Sequence, residues 1–418
     1  MARNTGWLAA GGVVTALLAA GLTAVTARLL GSAAFGELAF AIALTGVMLQ
    51  LADFRTWEVA IRLIPTSSSG TLIEGSGPSI QALLLVDLGA GIVGMISTWL
   101  FASVLGRMGG EVTAVHALMR TYAFAVPWII LSSGTCLGVL RLADQFRLLT
   151  IKSVAVSVVQ FGIVLSALRS GLGVGAVVWA YVVVEFVNAL VTLLVVAGLL
   201  RRSGLGFFPQ SWSRIKGSLA AGRQQLGQMW LSGTIKGLAT RLDIPLLGVL
   251  SSATAVANYR LAQDLAGVIS KLGNPVQQAI LPEMVALENK GDRAGLRRLA
   301  GQSTMLLAVP ILPSIVVIAA ASRTIVRIAA GPEFAGAATV FALVALGVGV
   351  NTMLVWSRPL LVARMRVGWG NVIAVIAGLV QLGVIAAFAG RAGAVAAAAG
   401  NAVMLVFISV GSAIVGIR

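Results

Sequence analysis

The chain has 418 residues, of which 58% are hydrophobic and only 11% charged. Soluble proteins carry about 25% charged residues, so a water-facing surface around one or two soluble domains is excluded, and a mean hydropathy of +0.97 describes a polytopic membrane protein. The 30 Lys and Arg against 14 Asp and Glu leave a net charge of +16, an excess that membrane proteins place mostly in cytoplasmic loops, so no nucleic-acid partner is expected.

In chain order, Arg3 precedes an apolar stretch from Gly6 to Leu29 that is too long for a signal-peptide core and reads as the first membrane span. Apolar runs bounded by charge, each long enough for the ~20 residues of a spanning helix, follow at roughly 38–63, 80–106, 115–140, 148–168 and 173–200. A basic stretch from Arg201 to Arg223 interrupts them. The second set runs roughly 224–248, 254–282, 299–322, 334–357, 367–389 and 392–416. The expected architecture is therefore all-α, with about twelve transmembrane helices. Residues 1–200 form a six-helix lobe, 201–223 a basic cytoplasmic linker, and 224–418 a second six-helix lobe.

Orientation follows from the short loops. With Met1 in the cytoplasm, eighteen of the 30 Lys and Arg fall on or near the inside and seven outside, which places both termini in the cytoplasm. The longest loops, 66–79, 201–222 and 283–298, are too short for a soluble catalytic domain. No Gly-x-x-x-x-Gly-Lys-[Ser/Thr] motif occurs, so this chain holds no nucleotide site of that type to power transport. One Cys (Cys136) and one His (His116) exclude by counting an intramolecular disulfide, a His/Cys metal site and a Ser-His-Asp relay. Neither metal, cofactor nor catalytic residue is expected.

Ionisable residues inside spans are expensive and mark function or pairing. The second span holds Asp53, Arg55, Glu58 and Arg62. Glu58 and Arg62 stand i,i+4, with Arg55 on the same face, and form either a neutralised ladder or the polar wall of a water-filled cavity. The seventh span carries Lys236, Arg241 and Asp243, and the eighth Arg260, Asp264 and Lys271, with Arg260 and Asp264 spaced to pair. Cations outnumber acids here even before Arg28 is added. Arg and Lys beside an aqueous cleft attract phosphate-bearing ligands. Asp87 and Glu185 are isolated acids in apolar runs, open to two readings: binding of a proton or Na+, or helix–helix hydrogen bonding.

Thr26-Ala-Arg-Leu-Leu-Gly31 followed by Phe35-Gly36-Glu-Leu-Ala39 resembles the opening signature of the polysaccharide-unit flippases of the multidrug/oligosaccharidyl-lipid/polysaccharide exporter superfamily. Leu51-Ala-Asp-Phe54 with Arg62, Thr240-Arg-Leu-Asp-Ile-Pro-Leu-Leu-Gly248, Ala255-Val-Ala-Asn-Tyr-Arg-Leu-Ala262, Leu281-Pro-Glu283 with Gly291-Asp292, and Gly331-Pro-Glu-Phe-Ala335 follow in the expected order. Asn258, where the family usually has Gly, and Arg55-Thr56, where Gly-Leu is common, depart from it. The resemblance implies two six-helix lobes of approximate twofold symmetry that open alternately to either face. It also implies a cation-lined cavity carrying a lipid-linked oligosaccharide diphosphate, of the undecaprenyl type, from the cytoplasmic to the outer leaflet of a bacterial inner membrane. The product would feed O-antigen, lipopolysaccharide or other cell-surface polysaccharide, with a polymerase, glycosyltransferases and membrane lipids as partners. Arg28, Arg55, Lys236, Arg241, Arg260 and Lys271 would line the cavity. Asp53, Glu58, Arg62, Asp243 and Asp264 would be charge partners. A cation/drug antiporter would need an acidic cavity instead, and a peptidoglycan-precursor flippase usually has fourteen helices.

Overall fold

The computed structural model describes residues 2–64, 76–107, 112–204 and 212–417. Residues 205–211 of the expected linker, 66–75 of the first long loop, Met1 and Arg418 lie outside the described residues. Every described element is helical: α1 Ala2–Ala52, α2 Thr56–Leu63, α3 Gly77–Arg107, α4 Val112–Tyr122, α5 Val126–Ser133, α6 Thr135–Leu142, α7 Phe146–Arg169, α8 Gly173–Arg202, α9 Trp212–Arg241, α10 Asp243–Leu250, α11 Ala253–Asn289, α12 Arg293–Ala330, α13 Ala337–Met353, α14 Ser357–Ala363, α15 Val367–Ala392 and α16 Ala394–Ile417, with one-turn 3-10 segments at Ala123–Ala125 and Pro332–Phe334.

Among the described residues, nine helical segments are long and apolar enough to cross a membrane. The first of them, Gly11–Leu63, holds two of the expected spans. Its α1 is broken at Gly31, whose φ of 77° and ψ of 170° are a turn conformation open to glycine and strained for most other residues. Two further long helices, α9 and α11, are absent from the nine, although each exceeds ~40 Å at 1.5 Å per residue. Their lower hydropathy, not their length, sets them apart. With them, each of the twelve expected spans has its helix. The basic stretch 201–223 is only in part a connector, because Trp212 to Arg223 already form the first turns of α9.

The chain packs into two compact units, residues 41–238 and residues 1–40 with 239–418. The first span therefore packs with the second half of the sequence. Two close contacts explain this. A Cβ on Gly36 would fall on the backbone carbonyl of Ala253, so only glycine lets these backbones approach so near. Beside it, the rings of Phe35 and Phe334 meet edge to face at 6.1 Å.

Several spans are broken rather than continuous. The second span unwinds at Asp53–Arg55, the fourth at Gly134, the seventh at Leu242 and the tenth at Leu354–Trp356. The fourth and tenth spans, equivalent by their place in each half, end alike. The helix closes with a 6→1 bond, Gln145 N–H to Leu140 O at 2.9 Å in one case and Arg366 N–H to Leu361 O at 2.8 Å in the other. In both a non-glycine residue takes the left-handed position, Asp144 at φ 53° and Met365 at φ 56°. Pro275, Pro310 and Pro313 lie inside helices, whereas Pro127 and Pro245 sit in the first turns of α5 and α10. A missing N–H costs nothing in a first turn.

Candidate functional site

In the unit formed by residues 41–238, the break at Asp53–Arg55 frees carbonyls that lipid cannot satisfy. Helix α9 supplies donors. Trp230 Nε1 donates to Leu51 O at 2.8 Å and Thr234 Oγ1 to Gln50 O at 3.5 Å, while Gln50 Nε2 donates to Gly233 O at 3.3 Å. Phe54 stacks on Trp230, with ring centroids 6.1 Å apart. Arg55 takes a left-handed backbone (φ 51°) as N-cap of α2, and its N–H donates to Asp53 Oδ1 at 2.7 Å. Its side chain fills the space over Gly233 and forms an ion pair with Glu58. Of the Arg55, Glu58 and Arg62 that share this face, Arg55 and Glu58 pair, while Arg62 is exposed, with no partner among the described residues. The reason is geometric: the cap turn folds the Arg55 guanidinium back to the i,i+3 acid. Lys236 is half-buried one turn along α9 from Gly233. Arg141 on α6 lies over the ring of Trp57 at 4.4 Å.

Asp87, buried at 1% exposure on the continuous helix α3, draws two broken spans together. Its Oδ1 accepts the Thr56 hydroxyl at 2.5 Å, and its Oδ2 accepts the Thr135 backbone N–H at 2.7 Å. Both donors open a helix, α2 and α6 respectively, so two positive helix ends face one carboxylate. Gly134 is required beside it, since a Cβ there would sit 2.5 Å from one carboxylate oxygen and 2.6 Å from both the other oxygen and the Thr56 hydroxyl. Glu185 on α8 accepts from the Asn188 amide at 3.3 Å.

In the unit of residues 1–40 and 239–418, Arg260 and Asp264 pair as expected, Nε to Oδ2 at 2.9 Å, and Thr23 Oγ1 donates to the same oxygen at 2.8 Å. Lys271, eleven residues beyond Arg260 and so on the same stripe of α11, has no partner among the described residues. Arg241 is exposed at the end of α9. Arg28 is engaged at a helix end, donating from Nη1 to Ile328 O at 3.2 Å. Asp243 was expected among the charge partners, but the structure gives it neutral donors. It is buried at 6% exposure, and its Oδ2 accepts Tyr259 Oη at 2.7 Å, Gln263 Nε2 at 2.9 Å and Gln381 Nε2 at 3.4 Å. Tyr259 is itself fully buried. Sequence reasoning passed over Tyr259, Gln263, Gln381, Thr56 and Thr135 because they are uncharged; polar side chains inside apolar runs were the available signal.

Among the described residues, the two helices that fail the apolar criterion thus carry Lys236, Arg241, Arg260 and Lys271. The polysaccharide biosynthesis protein family matches residues 1–288, from α1 to the end of α11. The chain belongs to that family. No curated protein matches the sequence. Among solved structures, the fold is shared with a lipid II flippase, MurJ, in an inward closed conformation (TM-score 0.73, 12% identity, covering 95% of this chain and 85% of that one). It is shared also with an inward-facing multidrug resistance MATE family transporter of the MOP superfamily (TM-score 0.65, 13% identity, 97% and 93% covered). A third is a MOP superfamily transporter from Pyrococcus furiosus in which reverse polarity of the binding pocket suggests a different function (TM-score 0.59, 14% identity, 99% and 95% covered). This member of the polysaccharide biosynthesis family is therefore an all-helical, multi-pass membrane protein with the fold of MOP superfamily transporters.

Proposed function

We propose that the chain flips a lipid-linked oligosaccharide diphosphate from the cytoplasmic to the outer leaflet of a bacterial inner membrane, by alternating access, for assembly of cell-surface polysaccharide such as O-antigen. The observation that carries this reading is the cation content of α9 and α11 within the family-matched segment. A diphosphate leaving water must cross a low-dielectric slab, and fixed cations lower that barrier. Arg241 and Lys271 supply charge that no described acid neutralises by an ion pair, Lys236 adds a third cation on α9, and Arg260 is tempered by Asp264. Release on the far side needs that moderation, because a site that binds too tightly does not let go.

A cation/drug antiporter is disfavoured because Asp264 on α11 is engaged by Arg260, and Asp243 at the start of α10 by three neutral donors. A peptidoglycan-precursor flippase remains the second reading, favoured by the shared fold with MurJ. In the proposed cycle the chain is a transporter rather than an enzyme, works beside glycosyltransferases and a polymerase, and keeps both termini in the cytoplasm. An ion gradient would act through acids held without a cation. Asp87 and Glu185 are the sequence candidates, and Asp243 joins them by geometry.

The test is complementation of a flippase-null strain, with lipid-linked oligosaccharide assayed on each leaflet. Lys236→Ala and Lys271→Ala together should leave the intermediate on the cytoplasmic side, while Lys→Arg at both positions should retain most export. Full export by the double Ala variant at normal expression would remove the cationic-site reading.

A further inference from the structure

The face between α7 and α8, within the unit of residues 41–238, carries an apolar groove of about 290 Å³ that plays no part in the charge set above. Ala155, Val159 and Ile163 form one wall at i, i+4, i+8, and Val184, Val187 and Val191 form the other at i, i+3, i+7. One polar feature interrupts it. Lys152, first in the α7 stripe, turns its Nζ onto Thr192 Oγ1 at 2.8 Å. The Thr192 hydroxyl in turn donates to Asn188 O at 2.6 Å, so its oxygen is fixed as an acceptor. An ammonium has three donors, and among the described residues no carboxylate lies within ion-pair distance of Lys152. Glu185, on the same face of α8, is two turns before Thr192 and bonds to Asn188.

A lysine at the end of a helix in lipid ordinarily extends its stem toward the headgroups. Lys152 instead lies half-buried against α8 with two donors to spare, in a groove that otherwise offers only hydrocarbon. An unpaired intramembrane charge is costly, and a phosphate carried on a hydrocarbon chain satisfies both halves of the site. At ~30 Å³ for each water-sized group, the groove takes a segment of one chain, not a whole lipid. We propose that this groove binds an anionic phospholipid, one acyl chain lying between α7 and α8 and the phosphate meeting Lys152. The site is separate from the transported substrate and does not depend on the function proposed above.

The experiment is a lipid titration of the delipidated full-length protein in detergent, read by native mass spectrometry and thermal unfolding. Phosphatidylglycerol should bind about tenfold more tightly than phosphatidylcholine of the same chains, the size expected for hydrogen bonds to a charged group. Lys152→Gln should bring the two lipids to within about twofold by weakening phosphatidylglycerol more than phosphatidylcholine, whose phosphate is already compensated by its choline. Ala155→Phe, which fills the groove and keeps the ammonium, should abolish both and serves if Lys152→Gln does not fold. Equal binding of the two lipids by the wild type would overturn the proposal, as would an anionic preference that survives Lys152→Gln. Inorganic phosphate alone reproducing the stabilisation would also overturn it, by showing that the chain contributes nothing. Tighter, Lys152-dependent binding of a polyprenyl phosphate would overturn it too, by assigning the groove to a substrate tail.

Discussion

Glu333 caps the helix that restarts after Gly31, its Oε2 accepting the Ser32 backbone N–H at 3.3 Å. The favour is returned nearby: Arg28, in the last turn before Gly31, donates to Ile328 O near the C-terminus of α12. An acid thus meets a positive helix end and a cation a negative one. Both contacts are exposed, so each is worth only about 0.3–1 kcal/mol.

The neighbouring Phe334 is fully buried against Phe35 and tells the other side of that comparison. Phe334→Ala should destabilise the protein by about 3–5 kcal/mol, and Glu333→Ala by no more than about 1 kcal/mol. Unfolding in detergent, with both variants measured side by side, checks the ranking. A larger loss from Glu333→Ala would mean the exposed cap, not the ring contact, holds this corner.

At the Asp87 joint, Gly134→Ala should cost about 1–3 kcal/mol, because the added methyl enters the space of the carboxylate and the Thr56 hydroxyl. Gly162→Ala in α7, where a Cβ would meet nothing within 4 Å, should be neutral or stabilise by up to about 1 kcal/mol. The pair separates a packing effect from a helix-propensity effect in one denaturation series. Equal behaviour of the two variants would sink the argument for a built joint.

Asp243 and Tyr259 should be energetically coupled. Tyr259→Phe removes a hydrogen bond to a buried carboxylate and should cost about 1.5–3 kcal/mol. Combined with Asp243→Ala, the loss should fall short of the sum of the single losses by about 0.5–3 kcal/mol. A double-mutant cycle on thermal stability measures this directly, and additivity would mean the 2.7 Å contact contributes nothing.

On α11, Asp264→Ala should disturb transport mainly by removing the carboxylate that pairs with Arg260, and Thr23→Val far less, since Asp264 keeps the Arg260 bond at 2.9 Å. Adding Arg260→Ala to Asp264→Ala should then recover part of the lost export. Export assays at matched expression read the order of the three variants; no recovery in the double variant would place the role of Asp264 elsewhere.

Most of the spans were legible because hydropathy over ~20 residues is a strong signal, and Arg260–Asp264 because i,i+4 spacing on one helix is local. The helix breaks were less so. What holds Asp53–Arg55 open is Trp230, whose bond to Leu51 O spans 179 residues, and what closes on Asp87 comes from Thr56 and Thr135, 31 and 48 residues off. Spacing put Arg55 on the face of Glu58, but no periodicity reveals the left-handed backbone that Arg55 takes there. Asp243 looked like a partner for cations because charge was weighed and amides were not, yet Gln381 reaches it across 138 residues.

Gly36 has a further consequence. A single methyl there would push against the Ala253 carbonyl at the start of α11, penalising every conformer that keeps these helices in touch and sparing every conformer that parts them. An overpacking energy of about 1–3 kcal/mol corresponds to reweighting a two-state population by roughly 5- to 150-fold. One hydrogen-to-methyl exchange, far from any charge, is therefore a handle on conformer occupancy, and it lets a ligand's preference for one state be measured without altering the residues that bind it.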